Sequence, residues 1–184
     1  MAMENKTAKI AMLFFLATEA MFFAGLISAY WILRAQIIPW PPIDQPRLPV
    51  VVTGVNTFIL ILSAVAIWQT GGAMRAERWK GVAGWLALAA AGGIIFLAVQ
   101  GCEWTRLIRF GMTTTHNIYG GIFYLVVGAH ALHVVVALAV LLVVTLHAAQ
   151  GRYSAEHHVG LILGRMFWTF VVALWPILYA LAYF

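Results

Sequence analysis

Five long apolar stretches determine what this chain can fold into. Each is long enough to cross a bilayer as a helix, which takes roughly 18 or more apolar residues. They occupy residues 10–33, 50–70, 82–102, 118–146 and 166–184, and Glu19 is the one formal charge inside them. Because backbone polar groups in a bilayer must be paired within the segment or barrel, such runs indicate helices rather than strands. The sequence therefore predicts an all-α, polytopic membrane bundle of five transmembrane helices.

The composition excludes the soluble classes of protein. Hydrophobic residues make up 64% of the 184 residues and charged residues 9%, whereas a soluble domain carries about 25% charged residues. A globular core of this size cannot bury so much apolar surface. We therefore exclude a soluble enzyme, a disordered chain and a nucleic-acid partner, and expect residues 1–184 to form a single integral-membrane domain.

The distribution of cations predicts the topology. Cytoplasmic loops of membrane proteins carry an excess of Lys and Arg. The side that holds the N-terminus has seven such residues and the other side has four. This excess favours a cytoplasmic N-terminus and a periplasmic C-terminus. The seven are Lys6, Lys9, Arg75, Arg78, Lys80, Arg152 and Arg165, and the four are Arg34, Arg47, Arg106 and Arg109.

Glu19 is the first candidate functional residue, because a carboxyl group near the bilayer midplane costs about 2.5–3.5 kcal/mol on insertion scales. Its neighbours, such as Phe22 and Phe23, are apolar. In one interpretation it is a protonated carboxyl that hydrogen-bonds His133 or a backbone carbonyl and holds the bundle together. In the other it exchanges protons or lines a channel. The residues alone leave both interpretations open.

The histidines provide a test for heme or metal binding. His116 and His130, like His133 and His147, are 14 residues apart, a spacing that returns to one helix face as in diheme cytochromes. The other four spans contain no histidine that could supply a second axial ligand. A metal site at His130 and His133 would have only Glu19 as a further ligand. We therefore predict no heme, no metal and no catalytic residue in this chain, and interhelical hydrogen bonds from His130 and His133.

Two more polar residues, Gln100 and Glu103, lie at the outer end of the third span. We expect them to be interhelical or interfacial hydrogen-bonding groups rather than catalysts. Residue types and spacing do not separate a transporter, a channel and an accessory subunit at this point.

Eight sequence segments, which occur in a fixed order, indicate a protein family. They are MLFFLATEAMFFAGLISAYW (12–31), WPP (40–42), VNTFILILS (55–63), QGCEW (100–104), IYGGIFY (118–124), VGAHALHV (127–134), HHVG (157–160) and FWTFVVALW (167–175). From about Lys9 to Phe184 the chain resembles subunit III of the heme-copper respiratory oxidases, the cytochrome c and quinol oxidases. It is similar to the short five-helix form of that subunit, which lacks the first two helices.

The resemblance implies a function. It implies an accessory, cofactor-free subunit of an aerobic terminal oxidase in a bacterial plasma membrane, where electron transfer to oxygen is coupled to proton translocation. Heme and copper would be held by the catalytic subunit I, which this chain would contact directly and stabilise. Subunit II, other oxidase subunits and bound phospholipids would be further partners.

The resemblance also implies roles for single residues. Glu19 matches the family's buried carboxylate, which is associated with proton supply or oxygen access, and His130 and His133 match its paired helix histidines. Lys9 matches a cytoplasmic-side cation near a lipid headgroup. The candidate lipid-binding residues are Lys9, Trp40, His157 and His158.

Some positions depart from the family pattern. Thr169 and Val172 stand where the family has His and Asp, His147 replaces a lipid-contacting Arg, and Ile162 replaces an acidic residue. We therefore expect no polar network between the last helix and its neighbours. The departures also keep open an alternative, the related small subunit associated with nitric oxide reductase.

Overall fold

The computed structural model describes residues 2–42, 46–115, 117–154 and 157–184. Within these ranges the chain forms five helices and no strand. All five helices are long and apolar enough to cross a membrane. The all-α, five-span fold predicted from the sequence is therefore confirmed. The helices are α1 (Ala2–Gln36), α2 (Val50–Arg75), α3 (Trp79–Arg109), α4 (Ile118–Ala149) and α5 (Val159–Tyr183).

The helices extend further than the apolar stretches. Helix α2 continues through Gly71 and Gly72 to Arg75, where the sequence suggests a loop, and α5 begins at Val159 rather than at Met166. Beyond the hydrocarbon region a helix keeps its backbone hydrogen bonds, and long cationic side chains reach water from its last turns. Hydropathy therefore finds the apolar part of each helix but not its ends.

Helices α2 to α5 form the core, and α1 lies at its edge. Within the described residues α1 packs against α4 and α5 and does not meet α2 or α3. Only 6% of the most apolar part of α1 is buried, compared with 44% in α5. Most of the α1 surface is therefore available to lipid or to another chain.

Two glycines bring α3 close to its neighbours. A Cβ on Gly92 would lie 2.8 Å from the Cβ of Ser63 in α2, and a Cβ on Gly93 would collide with the ring of Trp168 in α5. Small residues at helix contacts are the usual way for membrane helices to approach closely. Gly92 therefore allows α3 to pack closely against α2, and Gly93 leaves room for the Trp168 ring that reaches across from α5.

The start of α4 is fixed by a side-chain cap. Asn117 has an extended backbone, and its side-chain oxygen accepts a hydrogen bond from the backbone N–H of Gly120 at 2.8 Å. Such a cap pairs one of the free N–H groups at a helix start. It sets the register of the helix that carries His130 and His133.

Candidate functional site

A carboxyl group and an imidazole face each other between α1 and α4, halfway along the length of both helices. Glu19 is the middle residue of the 35-residue α1, and His133 lies near the centre of the 32-residue α4. Each residue has long apolar stretches of its helix before and after it, and these stretches lie in the hydrocarbon region of the membrane. Both groups therefore lie near the bilayer midplane, where polar side chains are rare and need partners.

The two side chains are joined directly. Oε2 of Glu19 lies 2.8 Å from Nε2 of His133. The other ring nitrogen of His133, Nδ1, lies 2.7 Å from the backbone carbonyl oxygen of Ala129, one turn earlier in α4. Each side chain is 19% exposed. The site is thus largely covered by protein, although not sealed.

The carbonyl of Ala129 limits where protons can be in this pair. A carbonyl oxygen only accepts, so Nδ1 of His133 carries a hydrogen and donates it. The 2.8 Å contact between Nε2 and Oε2 then contains one further proton. This proton is on Glu19, which leaves two neutral groups, or on His133, which gives an ion pair. In both arrangements the pair has no net charge, so a proton can move between the two atoms without leaving a net charge at the midplane.

Aromatic rings surround the imidazole. The ring centroid of Phe23 lies 5.0 Å from that of His133, and the centroid of Phe22 lies 6.0 Å from it. These rings lower the local polarity. A low polarity strengthens the hydrogen bond between Glu19 and His133, and it raises the free-energy cost of losing that bond. The sequence predicts that Glu19 hydrogen-bonds either His133 or a backbone carbonyl, and in the structure its partner is His133.

His130, one turn before His133, has a different environment. It is completely buried, and neither ring nitrogen has a hydrogen-bond partner among the described residues. Its ring stacks on Trp175, with 4.9 Å between centroids and 25° between planes, and Phe23 and Phe96 approach it edge-on. The interhelical hydrogen bond expected for His130 is therefore not formed in the described part of the chain; the residue packs as an aromatic ring.

The last helix does have polar contacts with α2, contrary to the expectation drawn from Thr169 and Val172. The indole N–H of Trp168 donates to the hydroxyl of Ser63 at 3.2 Å, and that of Trp175 donates to the hydroxyl of Thr57 at 2.8 Å. Polar contacts between α5 and α2 are therefore formed without a His at position 169 or an Asp at position 172. The spacing was visible in the sequence, because Trp168 and Trp175 are seven residues apart and Ser63 and Thr57 are six apart on an antiparallel helix.

Two further hydrogen bonds join α2 and α5, and we call the four bonds together the α2–α5 ladder. Thr169 itself accepts a hydrogen bond from the indole N–H of Trp68 at 3.2 Å. Near the other end, the hydroxyl of Tyr179 donates to the backbone carbonyl of Val50 at 2.8 Å. The contacts between α2 and α5 therefore run along most of their shared length.

Gln100 and Glu103 lie at the end of the bundle near Phe184. The amide nitrogen of Gln100 is 3.3 Å from the hydroxyl of Tyr183 in α5, so this residue does link two helices. Glu103 is 5% exposed and pairs with Arg106 of its own helix at 2.7 Å. This contact is an intrahelical ion pair rather than an interhelical one.

Trp40 belongs to an aromatic cluster at the same end. Its ring centroid lies 5.6 Å from that of Tyr30 and 4.8 Å from that of Tyr119, with edge-to-face geometry. The guanidinium of Arg34 lies 6.0 Å from the Trp40 ring centroid and donates to the backbone carbonyl of Phe184 at 3.2 Å. Through these contacts the segment after α1 packs against the start of α4 and the end of α5.

The other lipid-binding candidates lie at the opposite end. Lys9 is a half-buried residue of α1, and His157 is exposed. His158 has Nδ1 3.1 Å from the backbone carbonyl of Ser154, and its ring lies 6.3 Å from that of Trp79. In the same loop, burial raises the pKa of the Tyr153 hydroxyl, so this group stays protonated at neutral pH. Lys9 is not part of the contacts around His158.

The described residues contain no group of three or more His, Cys, Asp or Glu side chains that could hold a metal ion. His116, one of the histidines in the heme spacing, lies outside the described residues. Glu19 and His133 form a pair that can hold a proton and share a hydrogen bond.

Comparison with known families extends these observations. The family model described as cytochrome c oxidase subunit III matches residues 2–184. The chain belongs to the cytochrome c oxidase subunit III family.

Curated relatives carry the same description. The chain is similar to cytochrome c oxidase subunit 3 of Synechocystis sp., with 38% identity over 92% of this chain and 72% of the relative. It is 33% identical to the Thermostichus vulcanus subunit, over 95% of this chain and 85% of the relative. A probable cytochrome c oxidase subunit 3 of Mycobacterium leprae is 32% identical over 92% of this chain and 83% of the relative.

Membership of the subunit III family supports the function predicted from the sequence, an accessory subunit of a heme-copper oxidase. The five membrane-spanning helices and the bacterial oxidase relatives also agree with a membrane protein. The alternative, a small subunit associated with nitric oxide reductase, has no support among these matches.

Proposed function

We propose that this chain is the non-catalytic subunit III of an aerobic heme-copper oxidase and packs directly against the catalytic subunit I. The observation that carries the proposal is the family match over residues 2–184. Heme and copper are then held by the partner subunits, and this chain supports the stability and the proton or oxygen supply of the catalytic unit. Subunit II and further oxidase subunits complete the assembly.

The partner set tests this function directly. The membrane is extracted with a mild detergent, and the tagged chain is recovered together with whatever binds it. We expect a histidine-rich subunit with two hemes and copper to be recovered in a fixed ratio. Recovery with a non-heme-iron nitric oxide reductase, or as a stable solitary homo-oligomer, would contradict the proposal.

Deletion of the chain tests the non-catalytic role. If heme and copper are held elsewhere, the oxidase that lacks this chain keeps its heme absorption spectrum and its initial rate of oxygen consumption. Its rate of oxygen consumption then falls with time, or the enzyme pumps fewer protons per oxygen molecule reduced. Loss of all heme absorption would instead mean that the chain organises the catalytic subunit itself.

We also propose a cytoplasmic N-terminus and a periplasmic C-terminus. This orientation places the start of α1, the α2–α3 connection and the α4–α5 connection on the cation-rich side, as the positive-inside rule requires. A reporter fused after Phe184 should then be active in the periplasm, and one inserted between Ala76 and Arg78 in the cytoplasm. Reversed signals would overturn the orientation and leave the oxidase role untouched.

The central pair supports a role in proton supply. Glu19 and His133 share a proton across 2.8 Å with no net charge on the pair, so the pair can hold that proton on either atom without the cost of an isolated charge in the membrane. We also propose phospholipid contacts at the two ends of the bundle, through Trp40 at one end and Lys9, His157 and His158 at the other.

A further inference from the structure

Three buried polar side chains lie between α2 and α3, toward the end of the bundle near Phe184. They are Thr53, Asn56 and Gln100, and none of them is more than 3% exposed. Their side-chain oxygens, Oγ1 of Thr53, Oδ1 of Asn56 and Oε1 of Gln100, have no hydrogen-bond partner among the described residues. Buried polar atoms are normally paired, because an unpaired one is costly. Three of them in one place therefore indicate a ligand.

The contact between α2 and α3 brings these residues together. The side-chain nitrogen of Asn56 donates to the backbone carbonyl of Phe96 in α3 at 3.0 Å, and the two helices run antiparallel. One helical turn beyond this contact, α2 carries Thr53 and α3 carries Gln100. Residues three or four apart lie on one helix face, so the three side chains occupy two successive turns of the same helix contact.

The known partners of the two amides leave polar atoms over. A carbonyl oxygen only accepts, so the bond from Asn56 to Phe96 fixes the amide orientation and leaves Oδ1 as an acceptor that needs a donor. The amide nitrogen of Gln100 lies 3.3 Å from the hydroxyl of Tyr183. A hydroxyl can donate or accept, so either orientation of Gln100 leaves one amide atom unpaired. The Tyr183 hydroxyl also approaches Thr53, but outside hydrogen-bond geometry.

A pocket at the surface reaches the edge of this cluster. It has a volume of about 260 Å³, and its lining includes Arg47, Val50, Tyr119 and Tyr183. Tyr183 thus borders the pocket on one side and meets Gln100 on the other, and Thr53 follows Val50 by one turn of α2. Because a water molecule takes about 30 Å³ in the liquid, the pocket has room for roughly eight of them.

The charges nearby favour a neutral ligand. A sodium or potassium ion would also meet oxygen atoms, but a buried cation needs a compensating negative charge. Glu103, one turn from Gln100 in α3, already pairs with Arg106 at 2.7 Å. Water is neutral and both donates and accepts hydrogen bonds, and a buried water molecule typically makes about three of them with otherwise unpaired groups.

We propose that the pocket is filled with water and that bound water continues from it between α2, α3 and α5, hydrogen-bonded to Gln100, Thr53 and Asn56. Asn56 follows Val50 by six residues, so water enters the bundle by about 9 Å along α2. This internal hydration goes beyond the proposed oxidase role and does not depend on it.

Hydroxyl-radical footprinting of native membranes tests the proposal. A short X-ray pulse splits water, including bound water, and the radicals oxidise nearby side chains, which are then identified by mass spectrometry. The reporter is Phe96, which is buried and is held by Asn56 through its backbone. Phe167 is the control, because it is also buried and packs against the ring of Phe15. We expect Phe96 to be oxidised several times faster than Phe167.

Two variants remove the proposed water contacts. Asn56→Leu keeps a similar volume without the innermost acceptor, and the carbonyl of Phe96 still accepts its own helical hydrogen bond, so the chain should fold. Gln100→Leu removes the contact nearer to the pocket. In both variants we expect the oxidation of Phe96 to fall to the rate of Phe167. Thr105→Val removes a hydroxyl that bonds only within α3, and it should leave the Phe96 rate unchanged.

Several outcomes would overturn the proposal. Equal oxidation of Phe96 and Phe167 in the native chain would show that no water reaches Asn56, and a fall in Thr105→Val as large as in Gln100→Leu would remove the link to the cluster. If Asn56→Leu does not fold, Gln100→Leu alone decides.

The salt in the buffer identifies the ligand. The footprinting is repeated in sodium, potassium and choline chloride, and water predicts the same Phe96 rate in all three. Protection of Phe96 in sodium or potassium chloride alone would refute water and indicate a bound cation. A failure to recover oxidase subunits with this chain would contradict the accessory role and leave the footprinting result unchanged.

Discussion

The imidazole of His130 stacks on the indole of Trp175 at the centre of the α2–α5 core, with ring centroids 4.9 Å apart. The same indole donates its N–H to Thr57 at 2.8 Å. One tryptophan thus contacts α4 through its ring face and α2 through its nitrogen. His130, whose nitrogens have no partner among the described residues, contributes to this core through its shape.

Replacing His130 by Phe should therefore be tolerated. Phenylalanine keeps the ring and removes two buried nitrogens without partners, so the free energy of unfolding should stay within about 1 kcal/mol of the native value or rise. His130→Ala should lower it by about 3–5 kcal/mol, because it leaves a cavity against Trp175. Thermal or SDS-induced unfolding of the solubilised chain measures both. A large loss in His130→Phe would mean that a nitrogen has a partner.

His133→Phe is the matched comparison, with the same substitution one turn away. It removes the imidazole that meets Glu19 and leaves a buried carboxyl without its partner. We expect a loss of about 1–3 kcal/mol in the same unfolding measurement. If the two Phe variants behave alike, the Glu19–His133 hydrogen bond contributes nothing to stability.

Thr57→Val tests the ladder between α2 and α5. Valine has nearly the same shape but no hydroxyl, so the indole N–H of Trp175 loses its acceptor. Because interhelical hydrogen bonds in membranes contribute about 0.6–2 kcal/mol, we expect a loss of that size. Thr105→Val serves as the control, since the Thr105 hydroxyl donates to Gly101 within its own helix. Equal effects of the two changes would refute the role of the ladder.

Gly93→Ala should separate close packing from helix propensity. The new Cβ collides with the ring of Trp168, and overpacking of this kind costs about 1–3 kcal/mol. Gly101→Ala makes the same change in the same helix at a position with nothing within 4 Å, and should show only the gain in helix propensity, at most about 1 kcal/mol. Unfolding of both variants under identical detergent conditions gives the comparison, and a neutral Gly93→Ala would show that Trp168 can move aside.

Substitutions at Glu19 distinguish structure from proton transfer. Glu19→Gln keeps similar volume and an N–H that can donate to Nε2 of His133, so the oxidase should assemble, reduce oxygen and unfold near the native temperature. Glu19→Ala should destabilise the chain by about 1–3 kcal/mol, because it leaves a cavity and an imidazole without a partner.

Proton pumping in the purified complex decides between the two interpretations of this residue. The amide of Glu19→Gln cannot exchange a proton with His133, so a proton-supply role predicts reduced pumping or faster loss of turnover at unchanged stability. Native pumping and turnover in Glu19→Gln, with a loosened complex in Glu19→Ala alone, would make Glu19 a structural residue.

Much of the fold could be predicted from the sequence, because the hydropathy of each span is a local property. The ends of the helices could not. Gly71, Gly72 and Arg75 have the composition of a loop, yet they continue α2, because a helix keeps its own backbone hydrogen bonds whatever the hydropathy of its side chains. Arg165 likewise lies inside α5, and its guanidinium lies against Gly71 of α2, a contact that the sequence of α5 alone does not predict.

The candidate site was predictable in part. Glu19 and His133 each lie near the middle of an apolar span, and these two positions along the sequence were enough to predict that they could pair. His130 and His133 are equivalent in sequence terms, and only the tertiary packing makes one a hydrogen-bond partner and the other an aromatic residue. The ladder through Trp168 and Trp175 was missed because an indole and a hydroxyl are individually common in membrane helices.

The bond between Glu19 and His133 spans 114 residues, and this separation matters during synthesis. Chains are made from the N-terminus, so α1 is made before α4 and α5, the two helices against which it packs. Until α4 arrives, Glu19 has no imidazole to meet. Until then the carboxyl group of Glu19 lacks the partner it has in the folded chain, and α1 gains its remaining packing only when α5 follows α4.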